Sequence, residues 1–291
     1  MPSKADLRGT TLPRRQLGRA LRDARQARGL TLDQVAAATG ISRATLSRIE
    51  LGQYTKVRDM EVDYLCRYYC LPDARTQYLK ALAGQFNTKV WYQDYRDLML
   101  PVFKTYLELE SFASESWFYQ PIIVPGLLQT EDYARTVERL HQPDDSMDEI
   151  NNRVDLRIQR ARILTRPHLA VRAEFLLHEN VLYSLVGSGQ IMGAQLRHIA
   201  DLSTRDNVSV RVVPFTAGIP TGSVVTPHII LNFPDNEPSV VYTEAVVTSM
   251  FFEDGDDVKH FRALHETLRH AALDEQQSRD RMRKIARRHE Q

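Results

Sequence analysis

The sequence predicts an α+β chain in two parts: a small all-α domain of five helices, then a larger mixed α/β domain. Three observations carry that prediction. Between positions 14 and 84 apolar residues recur at helical spacing, with no alternating run among them. Further on, Val208, Val210 and Val212 alternate, and 229–233 and 239–244 read as strands set among helical stretches. Charge divides the chain as well. Residues 1–60 carry 12 Lys/Arg against 5 Asp/Glu and the remainder 26 against 32, so a net charge of +1 hides a basic front on an acidic body. A basic module of this kind suits a polyanion. The 291 residues fit two domains, and 43% apolar with 26% charged residues excludes a mostly disordered chain.

The elements follow in order. Residues 1–13 read as a flexible basic arm ending at Pro13. The first helix is predicted over 14–28, with Leu17, Leu21 and Ala24 as its buried stripe, Arg15, Arg19 and Arg22 off it, and Gly29 closing it. Thr31 caps the second helix and Gln34 completes a capping box; Leu32, Val35 and Ala36 face inward, and Gly40 breaks the helix. Ser42 caps a third helix over 43–51, with Leu46 and Ile49 inward and Gly52 after it. A fourth covers 59–71 through Val62, Leu65, Cys66 and Tyr69. Pro72 opens a fifth, where Leu79, Leu82, Ala83 and Phe86 repeat the pattern. The first domain is thus 14–84. Residues 85–100, with Trp91, Tyr92 and Tyr95, are expected to link or bridge two domains. In the second domain, 101–291, the spacing predicts a helix near 102–117, a turn at Pro125-Gly126, a helix from the cap Thr130 to about 140 and an acidic loop over 141–148. It then predicts a charged helix over 149–164, a strand over 169–177, helices over 190–203 and 256–273, and a basic terminal helix.

Residues 31–50 meet the requirements of a helix-turn-helix. Ala36 is small where two helices cross, Gly40 makes the turn, and Ile41, Leu46 and Ile49 supply the apolar seat of the second helix. Such a unit presents its second helix as a rod that fits the major groove of double-stranded DNA. Arg43, Ala44, Ser47 and Arg48 lie on its outward face. An arginine there offers a fork to guanine O6 and N7, worth roughly 1–3 kcal/mol of discrimination, and Ala44 can touch a thymine methyl. Ser42 and the helix N-terminus suit a phosphate oxygen. Arg15, Arg19, Arg22, Lys56 and Arg58 are expected on phosphates, where they supply affinity and salt dependence without base choice.

Residues 14–84 resemble the phage-repressor-like helix-turn-helix domains, the XRE family; the ending 46–52, LSRIELG, is typical of that group. The resemblance implies base reading by Arg43, Ala44 and Arg48, and a structural ion pair between Arg25 and Glu50. The family's frequent phosphate-binding glutamine at the start of the second helix is Leu32 here, so Thr31 or Gln34 is expected to take its place. A second resemblance covers nearly the whole chain. The segments 92–97 (YQDYRD), 106–110 (YLELE) and above all 124–134 (VPGLLQTEDYA) are similar to an actinobacterial group of regulators that includes WhiJ-like and antitoxin-like members. This places an effector-domain motif on Pro125, Gly126, Leu127, Leu128, Gln129 and Thr130, and implies a small acidic protein partner. The group's usual Arg-Gln pair in the charged helix reads Gln159-Arg160.

Other patterns carry less. His265 and His270 are five apart, not the four a zinc-protease helix needs, and read as a polar helix face. Cys66 and Cys70 are the only cysteines and read as inward-facing core residues, which fits a reducing compartment. Gly187, Gly189 and Gly193 read as a turn. The basic run 279–288 reads as a solvated or partner-packing helix. Trp117 and Tyr119 read as packing aromatics. Prolines at 214, 220, 227 and 234 break the longest charge-free run, so no membrane helix is expected, and no signal peptide is read at the N-terminus. No metal site, cofactor or catalytic motif is expected. The sequence therefore predicts a cytoplasmic, nucleoid-associated, homodimeric transcription regulator that binds a palindromic operator and senses a small molecule or a small partner protein. An antitoxin-like protein that autoregulates its operon is one rival. A DNA-targeted enzyme, with shifted ionisable groups in a cleft of residues 100–270, is the other.

Overall fold

The computed structural model describes residues 12–54, 57–84, 95, 99–166, 170–234, 237–244 and 249–291. Arm residues 1–11, Lys56, Phe86, Trp91 and Tyr92 lie outside the described residues, as do the side chains of Arg15 and Leu82. The backbone divides into two compact units, with the break between Gln93 and Asp94.

The front unit is all helical: α1 (Leu12–Ala27), α2 (Leu32–Thr39), α3 (Arg43–Glu50), α4 (Asp59–Tyr68) and α5 (Asp73–Gly84). Helix α1 starts two residues earlier than predicted, because Pro13 fits a first turn, where its missing N–H costs nothing. Leu17, Leu21, Val35, Leu46, Ile49, Val62, Leu65 and Leu79 form one core. The close approach within it is at Gly18, where a Cβ would collide with the carbonyl oxygens of Ile49 and Glu50. That glycine lets α1 lie against the end of α3. Helix α4 stops three residues short of the expected end. Cys70 follows at φ 56°, in the left-handed position that usually ends a helix, and its side chain is exposed. The inward reading of Cys70 is therefore corrected, while Cys66 is buried, and burial pushes its thiol pKa up.

The second unit is a mixed sheet with helices. Its elements are α6 (Pro101–Phe112), β1 (Glu115–Gln120), α7 (Glu131–His141), α8 (Met147–Ala161), β2 (Arg172–His178), α9 (Asn180–Tyr183), α10 (Gly189–Leu202) and β3 (Val208–Val213). Then come β4 (His228–Asn232), β5 (Val240–Glu244), β6 (Ser249–Phe252), α11 (Gly255–Ala271) and α12 (Glu275–His289). The described strands order as β3-β2-β1-β4-β5-β6. The β1–β2 and β2–β3 pairs are parallel; the pairs from β1 through β6 are antiparallel. The expected helix over 102–117 is thus two elements. It ends at Phe112, and Trp117 and Tyr119 sit on the central strand β1. Strand β6 was not anticipated.

One sheet face carries Trp117, Glu174, His228 and Ile230 under α11. On the other, Phe118 stacks on Phe175, and Tyr242 meets Tyr106 of α6. On the edge of β3 the backbone of Val212 is satisfied from beyond the sheet: its N–H donates to Ser278 Oγ at the start of α12, and the N–H of Leu273, just before that helix, donates to its carbonyl. The basic terminal helix is therefore part of the unit's core, through Met282, Ile285 and Ala286. The glycines read as a turn have a packing role as well. A Cβ on Gly189 would meet the His289 carbonyl, and one on Gly193 would meet the Glu290 side chain.

Candidate nucleic-acid interface

The rod and its support are built from caps. The Gln34 N–H donates to Thr31 Oγ1 at 3.2 Å, and the Thr31 N–H donates back to Gln34 Oε1 at 2.8 Å. Gly40 turns the chain at φ 72°. Ser42 Oγ then accepts the Thr45 N–H at 3.1 Å, which starts α3. Leu46, Ile49 and Val35 hold α3 against the core. Its opposite side exposes Arg43, Ala44 and Arg48, with Ser47 half-buried. Arg43 Nε lies 3.2 Å from Asp33 Oδ1 of α2. Arg48 Nε donates to the Ala44 carbonyl at 3.3 Å, and its guanidinium stands 5.7 Å from the centre of the Tyr54 ring. Thr31, Gln34, Ser42, Arg19 and Arg58 are exposed as well.

Beneath it lies an ion-pair cluster. Arg25 Nε and Nη2 donate to Glu50 Oε1 and Oε2 at 2.6 and 2.8 Å, and Nη1 donates to the Leu30 carbonyl at 2.7 Å. The hydrogen bond to Glu50 outweighs burial and raises the Arg25 pKa. Arg22, expected on phosphate, keeps 37% of its side chain exposed and also reaches this cluster. Its Nη2 donates to the Glu50 carbonyl at 2.9 Å, because one turn of α1 places it and Arg25 on the same side of the α3 terminus. The model of a helix-turn-helix domain matches residues 16–79. The front unit is a helix-turn-helix DNA-binding domain.

The second unit has a buried polar cluster built around the 125–130 segment. Gly126–Leu128 form a tight helical turn with Leu127 and Leu128 buried. Gln129 Nε2 donates to the Val124 carbonyl at 2.7 Å, and its Oε1 accepts Arg157 Nη1 at 2.6 Å. Arg157 also pairs with Glu138. Thr130 stands at the cap of α7, but its hydroxyl turns to Gln195 Oε1 at 3.2 Å and makes no side-chain cap. Gln195 is pinned in turn by its own bond to the Leu128 carbonyl, at 2.6 Å. A Cβ on Gly126 would stand 3.3 Å from Arg160 Nη1. Arg160 Nη2 donates to Glu110 Oε1 at 2.7 Å and to the Tyr106 hydroxyl oxygen at 2.8 Å. Burial alone would lower the Arg160 pKa, yet Glu110 and Tyr106 together raise it; at Arg157 burial wins and the pKa falls. The same burial carries the Tyr106 hydroxyl well above its ordinary value. These contacts tie α6, α7, α8 and α10 to one turn. A family model described as a domain of unknown function (DUF5753) matches residues 103–284, more than half of the chain. The chain belongs to that family. No curated protein and no solved structure matches it.

The DUF5753 domain holds a second polar chain under α11. The reading of 265–270 as a polar helix face fails at His265, which is fully buried, because its partners come from the sheet. His228 Nδ1 lies 3.0 Å from the Thr226 carbonyl, and Nε2 lies 3.3 Å from His265 Nδ1. His265 Nε2 lies 3.1 Å from Glu174 Oε1, and Arg269 reaches Glu174 Oε2 at 3.2 Å. Trp117 stacks on His265, while Tyr119 and Phe261 flank His228. Burial lowers the His228 pKa to about 4. The unfolded chain protonates this ring near pH 6.5 while the folded chain resists, so stability is full above 6.5 and falls as pH drops toward 4. Between pH 7 and pH 5 this ring alone is expected to remove about 2 kcal/mol, read as a lower urea midpoint. A His228→Gln variant that keeps the full pH dependence would refute the assignment.

Proposed function

We propose that this protein is a sequence-specific DNA-binding transcription regulator that works as a homodimer. In this reading α3 enters the major groove and Arg43, Ala44, Ser47 and Arg48 read base edges. Thr31, Gln34, Ser42, Arg19 and Arg58 hold the phosphates. The observation that carries it is the pairing of an exposed, arginine-bearing outer face of α3 with a capped and buried inner face. A surface meant only for solvent has no need of such a rigid mount. One helix touches too few bases for useful selectivity; two related by a twofold read half-sites about 34 Å apart. The DUF5753 domain supplies the dimer contact, receives the signal, or both; the signal is a small molecule or, as the WhiJ-like and antitoxin-like resemblance implies, a small acidic partner protein. The loop after β3 supports a protein contact, since it exposes Phe215, Ile219 and Val224.

The test is selection of bound sites from a random duplex library. The full chain is expected to enrich a palindrome. Arg43→Ala and Arg48→Ala should each relax one base pair per half-site, at a cost of about 1–3 kcal/mol per good contact. Unchanged site preference in both variants would remove α3 from the groove.

A further inference from the structure

The recognition helix does not stand alone: its first arginine is held by an acid on the preceding helix. Asp33 lies in the first turn of α2 and Arg43 in the first turn of α3, with Arg43 Nε 3.2 Å from Asp33 Oδ1. Both are largely exposed, at 67% and 73% of their side chains. A carboxylate is out of place on a face that meets phosphates. Repulsion acts over a Debye length of about 8 Å, well beyond the reach of a side chain at the interface. It is tolerable only where a cation stays beside it.

We infer that Asp33 is a specificity-determining residue, which positions Arg43 for guanine and keeps it from phosphate. The inference rests on the groove-reading role of α3. The guanidinium is planar, with donors along its Nε side and across its Nη1–Nη2 end. Asp33 stands beside the Nε side as an ion-pair partner. The end is then the edge left for a base, and its two donors match guanine N7 and O6. In that arrangement Arg43 serves base and carboxylate together, and Asp33 keeps its counter-charge. On a duplex without guanine at that place, Arg43 has only phosphate oxygens to seek. Leaving for them strands Asp33 against the DNA. The pair therefore penalises the wrong sequence more than it strengthens the right one, which is how selectivity is gained by repulsion. A dipole role for Asp33 at the start of α2 makes no such distinction between sequences.

The experiment compares the wild type, Asp33→Ala, Arg43→Ala and the double variant as full chains. Affinity is measured by fluorescence anisotropy over a salt series on three duplexes: the selected site, that site with its Arg43-dependent guanine replaced, and random sequence. Asp33→Ala is expected to lower the ratio of specific to non-specific affinity on the order of tenfold, within the roughly 5- to 150-fold that one bidentate contact discriminates. Its salt slope on random duplex should steepen by about 0.9, the increment of one added phosphate contact, as Arg43 is released. The double variant should return to the slope of Arg43→Ala. If Arg43→Ala relaxes base choice while Asp33→Ala leaves both ratio and slope unchanged, the role of Asp33 is overturned and groove reading stands. If Arg43→Ala itself leaves base choice intact, both fall. Asp33→Ala removes only an exposed side chain, and an unchanged thermal midpoint separates these readouts from misfolding.

Discussion

Replacing Glu110 with alanine is expected to cost the DUF5753 domain about 3–5 kcal/mol, the range for breaking a buried ion pair by removing one partner. Glu110 is 2% exposed and accepts both Arg160 and the Tyr106 hydroxyl. Without it, a guanidinium with 11% of its side chain exposed keeps its charge with no carboxylate opposite. The loss would spread, because Arg160 stands against Gly126 and α8 also carries Arg157 to Gln129. Urea unfolding followed by circular dichroism measures it. The triple variant Tyr106→Phe/Glu110→Leu/Arg160→Met should recover most of the loss, since apolar groups of similar volume avoid desolvation and leave no buried hydroxyl without a partner. A single-variant cost below about 1 kcal/mol, the range of surface pairs, would mean that water reaches the cluster.

Glu50→Ala is the second large effect. Arg25 and Glu50 expose only 12% and 6% of their side chains and share two hydrogen bonds, and Arg22 adds a third contact on the Glu50 carbonyl. Stranding Arg25 is expected to cost about 3–5 kcal/mol. The consequence reaches the outer face proposed to meet DNA, because Glu50 ends the helix that carries Arg43 and Arg48. DNA affinity should therefore fall at temperatures where wild type is folded, and return on cooling. An unaltered melting curve would show that the pair is solvated. Glu50→Gln, which keeps the shape and an acceptor but not the charge, should lie between the two.

The helix-turn-helix was legible because its determinants are local. Thr31 with Gln34, Gly40, and Ser42 with Thr45 act within a few residues, so spacing alone identifies them. The Arg25–Glu50 pair, 25 residues apart, came only through family resemblance. Asp33 was missed although a signal existed: an acid in the first turn of one helix, with an arginine opening the next. Gly18 was missed because its reason is a backbone on another helix. In the second domain β1 was lost when the apolar helical run to Phe112 continued without a breaker into Trp117 and Tyr119. His265 was misread because its partners, Glu174 and His228, stand 91 and 37 residues away. Gly18 and His265 each needed a neighbour that spacing along the chain does not reveal.

Strand β1 has an implication for how the chain is made. It leaves the ribosome first among the described strands, yet its partners are residues 172–177 on one side and 228–232 on the other. Until the second of these emerges, one row of its amide and carbonyl groups stays open, a template for pairing between nascent chains. The front helices need no such delay, being joined by short turns. Synthesis thus yields a finished helical unit while the larger half is still vulnerable to aggregation.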